Sequence, residues 1–391
     1  MNVAPLAVHS SRAVRDALRS HGWDEGQAET AGLGIATTAF HVTGLDQGAI
    51  EALVPFAGSL GLEVLTGDSW VILAGSRSRL SALARPWSVP GALAELATEL
   101  GLALPGDSPT QWQTARGTIA LDRPVLIGIL NVTPDSFSDG GRFAAVDTAL
   151  EQADRLLKEG AAILDVGGES TRPGRTSEVA VEEELRRVIP VIEALVRRHP
   201  DLILSIDTVK APVARAALDA GAAVVNDVSA LRLDPDLAVV VADARAGVIL
   251  MHSRGSMLEI ASYTHADYAG DVVGEVVREL REGLARAARA GVVPDAVVVD
   301  PGFGFSKTVE QNLLLLDQLA AVQALGRPVL VGLSRKRFLG AVTGLPIEDR
   351  DRATATACAL AYSRGARLFR VHDVAAAREA LTLAQAVEGE S

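Results

Sequence analysis

Polar or charged residues stand at the ends of about eight apolar runs between residues 125 and 372 of this 391-residue sequence. A single such residue could start a turn or cap the following helix. Capping, however, uses Ser or Thr as readily as Asp and never needs Arg, so it does not explain the whole set. The pattern predicts one convergent site formed by Asn131, Asp165, Asp207, Asn226 with Asp227, Met251 with His252, Asp300, Ser334 with Lys336, and Arg370 with His372.

One half of this site suits the edge of a flat heterocycle. Asp207 and Asp300 supply carboxylate acceptors, and Asn226 supplies an amide. Lys336 adds a donor. Together these groups match a ring whose N–H groups lie beside carbonyl and ring-nitrogen acceptors. This half of the site is therefore predicted to bind a heterocycle.

The other half of the site suits phosphate. Arg370 and His372, with Arg172 from the stretch "GGESTRPG", supply cations for phosphate oxygens. Asn131 could orient a hard cation such as Mg²⁺ beside them. The two halves together predict a ligand in which a heterocycle carries a phosphate group.

Alternating elements are needed to bring these residues together. From about residue 121 onward, strand-like runs such as "VLIGILN" alternate with amphipathic stretches such as "VEEELRRVIPVIEALVRRHP". This alternation is typical of a parallel α/β sheet, either an open doubly wound sheet or a barrel. About eight strands and the lack of a G-x-G-x-x-G first turn favour a (β/α)8 TIM barrel, whose site lies at the carboxyl ends of the strands.

Residues 1–105 are predicted to form a separate, small α+β domain whose role the sequence does not assign. The strand-like "TAFHVTG", a helical stretch and "LEVLTGDSWVILAG", with its turn at Gly67-Asp68, predict a β-α-β-β unit flanked by helices. The segment "LALPGDSPTQ" is the predicted linker. Residues 106–391 are predicted to form the barrel domain, with "WQTA" and "TIAL", joined by Arg116-Gly117, as a β-hairpin plug at its amino-terminal end.

Composition excludes several classes of partner. The formal net charge is −12, so bulk attraction to nucleic acid or to an anionic membrane is not expected. No apolar run reaches membrane-spanning length, and the amino terminus lacks the features of a signal peptide. The single cysteine, Cys358, excludes an intrachain disulfide and a cysteine metal cluster. The sequence therefore predicts a cytoplasmic protein with small-molecule ligands.

Seven stretches resemble the dihydropteroate synthase family, in this order along the chain: "LNVTPDSFSDGG", "DVGGESTRPG", "SIDT", "NDV", "DPGFGFSK", "LSRK" and "RVHDV". Several long motifs spread over about residues 110 to 388 are far more specific than one short motif. In that family a TIM barrel joins hydroxymethyl-dihydropterin pyrophosphate to para-aminobenzoate and releases pyrophosphate. The resemblance implies those two substrates, Mg²⁺ as cofactor and a homodimer.

The resemblance also assigns the site residues to three ligand groups. The pterin ring is expected against Asp165, Asp207, Asn226, Met251, Asp300 and Lys336. Pyrophosphate with Mg²⁺ is expected at Asn131, Arg172, Arg370 and His372, with Asn131 as the metal ligand. Para-aminobenzoate is expected beside Phe137, Thr171, Arg172, Pro173, Phe305 and Ser334.

Such chemistry begins with loss of pyrophosphate from a methylene group, which leaves a cation delocalised into the dihydropterin. Mg²⁺, arginine and histidine stabilise the departing charge. Asp139, on the glycine-flanked loop "TPDSFSDGG", is expected to stabilise the cation or to orient the incoming aniline nitrogen. Asp165 and Lys336 are the other residues that the resemblance implies for catalysis.

Some residues depart from the family pattern or have a second interpretation. Arg337 follows "SRK", where a small hydroxyl residue is common, and "SRGSM" at residues 253–257 also differs. Phe303 is expected to be a core aromatic, whereas the motif position of Phe305 predicts a place in the site.

Two further classes of function are alternatives. One is a pterin-binding methyltransferase that passes a methyl group from a methylated folate to a corrinoid protein. The other is a pterin-binding paralogue without catalysis. The "TRPG", "SRK" and "RVHDV" motifs, and the lack of a cobalamin-binding segment in this sequence, favour the synthase.

Overall fold

The computed structural model describes residues 37–67, 70–85, 89–104, 109–132, 142–169 and 177–388. The chain divides into two compact units, Met1–Pro105 and Gly106–Ser391. The boundary lies within "LALPGDSPTQ", the stretch where the sequence predicts a linker.

The described part of the first unit is a three-stranded antiparallel sheet with helices packed against it. The strands are β1 (Thr37–Thr43), β2 (Glu63–Thr66) and β3 (Trp70–Ser76), in the order β1-β3-β2. The helices are α1 (Gln47–Ser59), α2 (Arg77–Leu83) and α3 (Ala94–Ala103). Leu53, Leu73 and Leu80 are fully buried and join sheet and helices in one core. This is the small α+β arrangement, with its β-α-β-β order, that the sequence predicts.

A β-hairpin closes the amino-terminal end of the barrel, as predicted. Its strands are β4 (Gln111–Thr114) and β5 (Gly117–Ala120). The fully buried Trp112 packs among apolar residues of the barrel strands, and its indole N–H donates to the carbonyl of Ala296 at 2.9 Å. The turn occupies residues 115–116 rather than Arg116-Gly117, because Gly117 already pairs with Thr114.

Eight parallel strands form a closed barrel, so the predicted TIM barrel is confirmed. The strands are β6 (Val125–Asn131), β7 (Ile163–Gly167), β8 (Ile203–Asp207), β9 (Val224–Asp227), β10 (Gly247–Met251), β11 (Val297–Asp300), β12 (Val329–Val331) and β13 (Ala366–Val371). The helices of this unit are α4 (Arg142–Glu159), α5 (Val181–Arg198), α6 (Ala211–Asp219), α7 (Leu237–Asp243), α8 (Val272–Arg289), α9 (Val309–Asp317), α10 (Arg337–Thr343), α11 (Asp351–Tyr362) and α12 (Val374–Glu388).

The barrel helices pack through apolar stripes and are fixed at their ends by polar groups. In α5 the buried Val188, Ile192 and Leu195 recur at helical spacing and join the main core. Helix α9 begins with a reciprocal capping box, in which the side chains of Thr308 and Gln311 bind each other's backbone N–H groups. Since α9 follows the motif "DPGFGFSK", this cap fixes where that motif ends. No helix in the described ranges is long and apolar enough to cross a bilayer.

Candidate active site

A cavity of about 340 Å³ opens at the carboxyl ends of the barrel strands. Parallel strands of a barrel all end on the same side, so side chains that are distant in sequence meet there. The cavity wall includes Asn131, Asp207, Asn226, Met251, Asp300, Phe305, Ser334, Lys336, Arg370 and His372. The structure therefore brings together ten of the residues that the sequence analysis places in the site.

Arg370 lies between two carboxylates of this site. Its Nε donates to Oδ2 of Asp165 at 2.6 Å, and its Nη2 donates to Oδ2 of Asp207 at 2.7 Å. The amide of Asn226 donates to the same oxygen of Asp165 at 3.0 Å. The guanidinium is thus held in one orientation beside the residues expected to bind the heterocycle.

Asp165 lies beneath the cavity and not on its wall. It is fully buried, and it stands two residues before the end of β7, where it pairs with Ser205. Asp207, at the end of β8, instead pairs with Gly167. Because a strand rises about 3.3 Å per residue, Asp165 lies one layer of side chains deeper. Oδ2 of Asp165 holds Arg370 and Asn226, whereas its Oδ1 has no hydrogen-bond partner among the described residues. The expected contact of Asp165 with pterin stays a prediction.

Burial sets the ionisation of the two carboxylates on the cavity wall. It raises the pKa of Asp207 to about 7, although Arg370 acts in the opposite direction. It also raises the pKa of Asp300 to about 6, although the backbone N–H of Gly302, which donates to Asp300 Oδ1 at 2.7 Å, lowers it. Poorly solvated carboxylates gain most from a ligand that donates N–H groups to them.

Lys336 presents its ammonium to the same cavity. Its Nζ lies 3.6 Å from the centre of the Phe305 ring. Within the described chain no group accepts a hydrogen bond from this Nζ, so its donors face the cavity unused. Burial, and then repulsion from Arg370, lowers the pKa of Lys336 to about 7. A ligand with acceptor atoms would restore the charged form.

The contact of Lys336 with the Phe305 ring requires a glycine at position 304, because the lysine side chain passes close to that residue. Gly304 has φ +76°, and a Cβ there would lie 2.7 Å from Cδ of Lys336. The backbone therefore leaves space for the lysine side chain to cross the turn and reach Phe305.

Ser334 and His372 hold each other at the cavity wall. Oγ of Ser334 lies 2.8 Å from Nδ1 of His372 and accepts the backbone N–H of His372 at 3.2 Å. Both residues line the cavity. The hydroxyl of Ser334 thus orients the histidine expected to bind pyrophosphate.

The two phenylalanines of "DPGFGFSK" have different surroundings. Phe303 is in the main core, with its ring 6.1 Å from that of Phe338, and part of it reaches the cavity wall. Phe305 belongs to a small cluster with Met251 and Met257 under the cavity. The core placement expected for Phe303 and the site placement expected for Phe305 agree with this arrangement.

Five expected site residues lie outside the described residues: Phe137, Asp139, Thr171, Arg172 and Pro173. Their assignments to catalysis, pyrophosphate and para-aminobenzoate stay predictions.

Glu169 also lines the cavity, although it is not among the predicted site residues. Its carboxylate accepts the backbone N–H of Val179 at 3.0 Å and pairs with Lys210. Lys210 also pairs with the buried Glu184 of α5. The available signal is its position two residues after the end of β7, since other strands are also followed by a polar residue. Through its bond to Val179, Glu169 links the backbone that precedes residues 170–176 to the backbone that follows them.

One departure from the family pattern, Arg337, contacts the segment that follows the other departure, residues 253–257. Arg337 stands on the cavity wall, and its Nη2 donates to the carbonyl of Ala261 at 2.7 Å. Its guanidinium also lies 4.6 Å from the centre of the Tyr263 ring. Ala261 and Tyr263 belong to the segment that follows residues 253–257, so Arg337 ties this segment to the start of α10.

The sequence of the barrel unit is similar to that of known proteins. Residues 127–372 match the family described as "Pterin binding enzyme". A dihydropteroate synthase of Synechocystis sp. is 45% identical over 266 residues, which cover 68% of this chain and 90% of that protein. The chain belongs to the dihydropteroate synthase family. It is therefore a transferase, and the residues before 127 lie outside the family match.

Two solved structures of one member of the dihydropteroate synthase family are similar to this chain. The Xanthomonas albilineans enzyme with 4-aminobenzoic acid is 50% identical, with a TM-score of 0.66 over 72% of this chain and 99% of that one. The same enzyme in complex with 7,8-dihydropteroate gives 48% identity and a TM-score of 0.63 over 71% and 98%. At this level of identity the likeness extends to the arrangement of the barrel as a whole.

Proposed function

We propose that this protein joins hydroxymethyl-dihydropterin pyrophosphate to para-aminobenzoate, giving dihydropteroate and pyrophosphate. The observation that carries the proposal is a single cavity in which Asp207, Asp300 and Lys336 adjoin Arg370 and His372. The first three suit a pterin edge, and the last two suit phosphate oxygens. The Xanthomonas albilineans relative was solved with 4-aminobenzoic acid and with 7,8-dihydropteroate, and these complexes support the same substrates for this protein.

In the proposed reaction the pterin N–H edge binds the carboxylates of Asp207 and Asp300, while Lys336 donates to a pterin acceptor. The bond between the methylene carbon and the pyrophosphate oxygen breaks, and the amine of para-aminobenzoate forms the new C–N bond and loses a proton. Arg370 and His372 hold the departing pyrophosphate. Asp139 is proposed to stabilise the cationic methylene or to orient the amine, and Asp165 supports the reaction by holding Arg370.

Mg²⁺ is the proposed cofactor, and the donors present fit a metal bound mainly through pyrophosphate oxygens. Asn131 offers an amide oxygen at the cavity wall. In the described ranges no group of three His, Cys, Asp or Glu side chains could hold a metal ion alone. Mg²⁺ often keeps several waters and binds through one or two protein ligands plus substrate phosphates. When bound, it would neutralise charge on the departing pyrophosphate.

Chelating Mg²⁺ with EDTA is expected to abolish turnover and to leave the binding of hydroxymethyl-dihydropterin unchanged, because the heterocycle has its own protein contacts. The Asn131→Ala variant should need roughly tenfold more Mg²⁺ for half-maximal rate. Pyrophosphate release measured against Mg²⁺ concentration checks both expectations. An unchanged Mg²⁺ requirement in the variant would remove Asn131 from the metal assignment.

The proposed function is tested by giving the purified protein both substrates. We expect equal amounts of pyrophosphate and dihydropteroate. A phosphate-coupled assay measures the pyrophosphate, and chromatography measures the dihydropteroate. Pterin binding without pyrophosphate release would favour the non-catalytic paralogue, and methyl transfer from a methylated folate would favour the methyltransferase.

Residues 106–391 are proposed to act without the first unit, because the hairpin, the closed barrel and the cavity all lie within them. A protein that starts at Gly106 is expected to fold cooperatively and to retain turnover. Circular dichroism melting and pyrophosphate release check this. Intact folding with lost turnover would contradict the prediction and would assign the first unit a part in the reaction.

A cytoplasmic homodimer is the proposed form of the protein. Three successive helices of the barrel unit expose large apolar side chains, namely Leu313 and Leu314 on α9, Val342 on α10 and Leu360 on α11. Exposed apolar residues on adjoining helices favour association with a second copy.

A further inference from the structure

Lys307 is a buried lysine outside the cavity wall, and the reaction proposed above does not use it. It is 1% exposed. Its Nζ donates to the carbonyls of Gly302 and Phe305, both at 3.1 Å, and to Nδ1 of His252 at 2.9 Å. An ammonium has three donors, so all three are satisfied and the charged form fits this place.

Lys307 begins a hydrogen-bonded chain that runs through His252 to Glu279. Since Nδ1 of His252 accepts from Lys307, the ring proton lies on Nε2 and donates to Glu279 at 3.0 Å. Burial, and then Lys307, lowers the pKa of His252 to about 4, so the ring is neutral. Hydrogen bonds from His252 and Arg254 outweigh burial and lower the pKa of Glu279 to about 2. The ionised carboxylate of Glu279 is therefore connected to Lys307 through His252.

Lys307 binds the turn that presents two site residues to the cavity. Gly302 is bound on both sides of its backbone, its N–H by Oδ1 of Asp300 and its carbonyl by Lys307. The other carbonyl bound by Lys307 belongs to Phe305, whose ring lies under Lys336. Gly302 has φ +71°, and a Cβ there would lie 1.9 Å from the carbonyl oxygen of His252. The turn thus has little freedom to rearrange.

We propose that Lys307 is a positioning residue of the pterin site, which fixes the turn at residues 302–305 through two carbonyls and favours the ionised form of Asp300. This inference rests on the proposed function. The charged or titratable groups around Lys307 are Asp300, Glu279, Arg254, Lys336 and His252. Those around Asp300 are Lys336, Lys307 and Arg370.

The sign of the effect follows from these groups. Burial lowers the pKa of Lys307 to about 7, and Asp300 and Glu279 raise it. Without the charge of Lys307 the pKa of Asp300 rises, so its carboxylate protonates at a higher pH. Without the charge of Glu279 the pKa of Lys307 falls, so its ammonium deprotonates at a lower pH. The first loss therefore grows toward low pH, whereas the second is confined to the interval below about pH 7 in which only the wild-type Lys307 is charged.

The test compares Lys307→Met and Glu279→Gln with the wild-type protein. Calorimetry with hydroxymethyl-dihydropterin between pH 5.5 and 8.5 avoids the ionisation of pyrophosphate. The affinity loss of Lys307→Met should grow as pH falls, to about fivefold near pH 6, which corresponds to a rise of about one unit in the pKa of Asp300. The loss of Glu279→Gln should instead be confined to an interval just below pH 7, where Lys307 is still charged in the wild type but no longer in the variant, and should vanish toward pH 8.5. The exposed Lys158→Met is the matched control and should follow the wild type.

A loss that grows toward low pH in Lys307→Met, together with a loss confined to the interval below about pH 7 in Glu279→Gln, supports the inference. A loss in Lys307→Met that is absent or independent of pH overturns it, because a merely structural residue would change affinity by a constant factor. Asn312 also holds the turn, accepting the N–H of Gly304 at 2.7 Å, so the Met variant keeps an anchor. If that variant does not fold, Glu279→Gln decides alone, and a loss of pterin affinity that does not depend on pH overturns the inference.

The outcomes also separate this inference from the proposed function. If the wild type turns over and Lys307→Met binds pterin as the wild type does, the inference is overturned and the proposed function stands. A wild type that binds no pterin overturns both.

Discussion

The Lys336→Met variant is expected to bind hydroxymethyl-dihydropterin at least 30-fold more weakly, a loss of about 2 kcal/mol or more. In the wild type the ammonium of Lys336 faces the cavity, and no described group accepts a hydrogen bond from it. The apolar part of the Lys336 side chain passes Gly304 and reaches Phe305. Methionine keeps the apolar stem and removes the donors. Isothermal calorimetry at neutral pH measures the change.

Stability provides the control for this variant. Burial and repulsion from Arg370 disfavour the charge of Lys336, so removing it should not lower the free energy of unfolding. Lys158→Met, an exposed substitution of the same type, should change neither property. Near-normal pterin affinity in a folded Lys336→Met protein would exclude Lys336 from the pterin site.

The Asp207→Asn variant is expected to lose about 2–5 kcal/mol of pterin binding, because a neutral amide replaces a carboxylate that accepts N–H groups in a poorly solvated site. The pKa of Asp207 is raised to about 7 by burial, so wild-type affinity owed to this group should weaken as pH falls through about 7. The Asn variant should lack this dependence. Pterin affinity measured at pH 6 and pH 8 checks both parts.

Asp219→Asn is the matched control, since Asp219 is an exposed carboxylate on α6. Asp207→Asn keeps its side-chain volume, and Arg370 retains its contact with Asp165, so the barrel should stay folded. Unchanged affinity, or an unchanged pH dependence with weakened binding, would contradict the role assigned to the Asp207 carboxylate.

Much of the fold follows from local patterns in the sequence. Runs of apolar residues alternate with amphipathic stretches, and this alternation predicts a parallel sheet. The count of about eight strands and the lack of a G-x-G-x-x-G turn then favour a barrel. The hairpin turn was displaced by one residue, because the pairing of Thr114 with Gly117 depends on contacts across the hairpin. Exact turn positions depend on such pairing and not on the turn residues alone.

Pairs of adjacent residues at strand ends show that sequence patterns do not determine which side chain of a pair reaches the cavity. Both Asn226 and Asp227 end a strand, but only Asn226 reaches the cavity, while Asp227 accepts the N–H of Ser229 at 2.8 Å. Likewise Met251 lines the cavity, whereas His252 turns toward Glu279. Successive side chains of a strand point to opposite faces, so one of each pair must face inward. Which one does so depends on the register of the whole barrel.

The sequence by itself determined the barrel, its hairpin plug and most of the residues on the cavity wall, because a polar residue at the end of each parallel strand is brought to one place by the closure of the sheet. The tertiary structure alone decided the depth of Asp165, set by its pairing with Ser205. It also decided the contacts of Lys307, whose partners include His252, 55 positions away. Such contacts depend on register and on packing between distant segments, and neither leaves a periodic signal in the sequence.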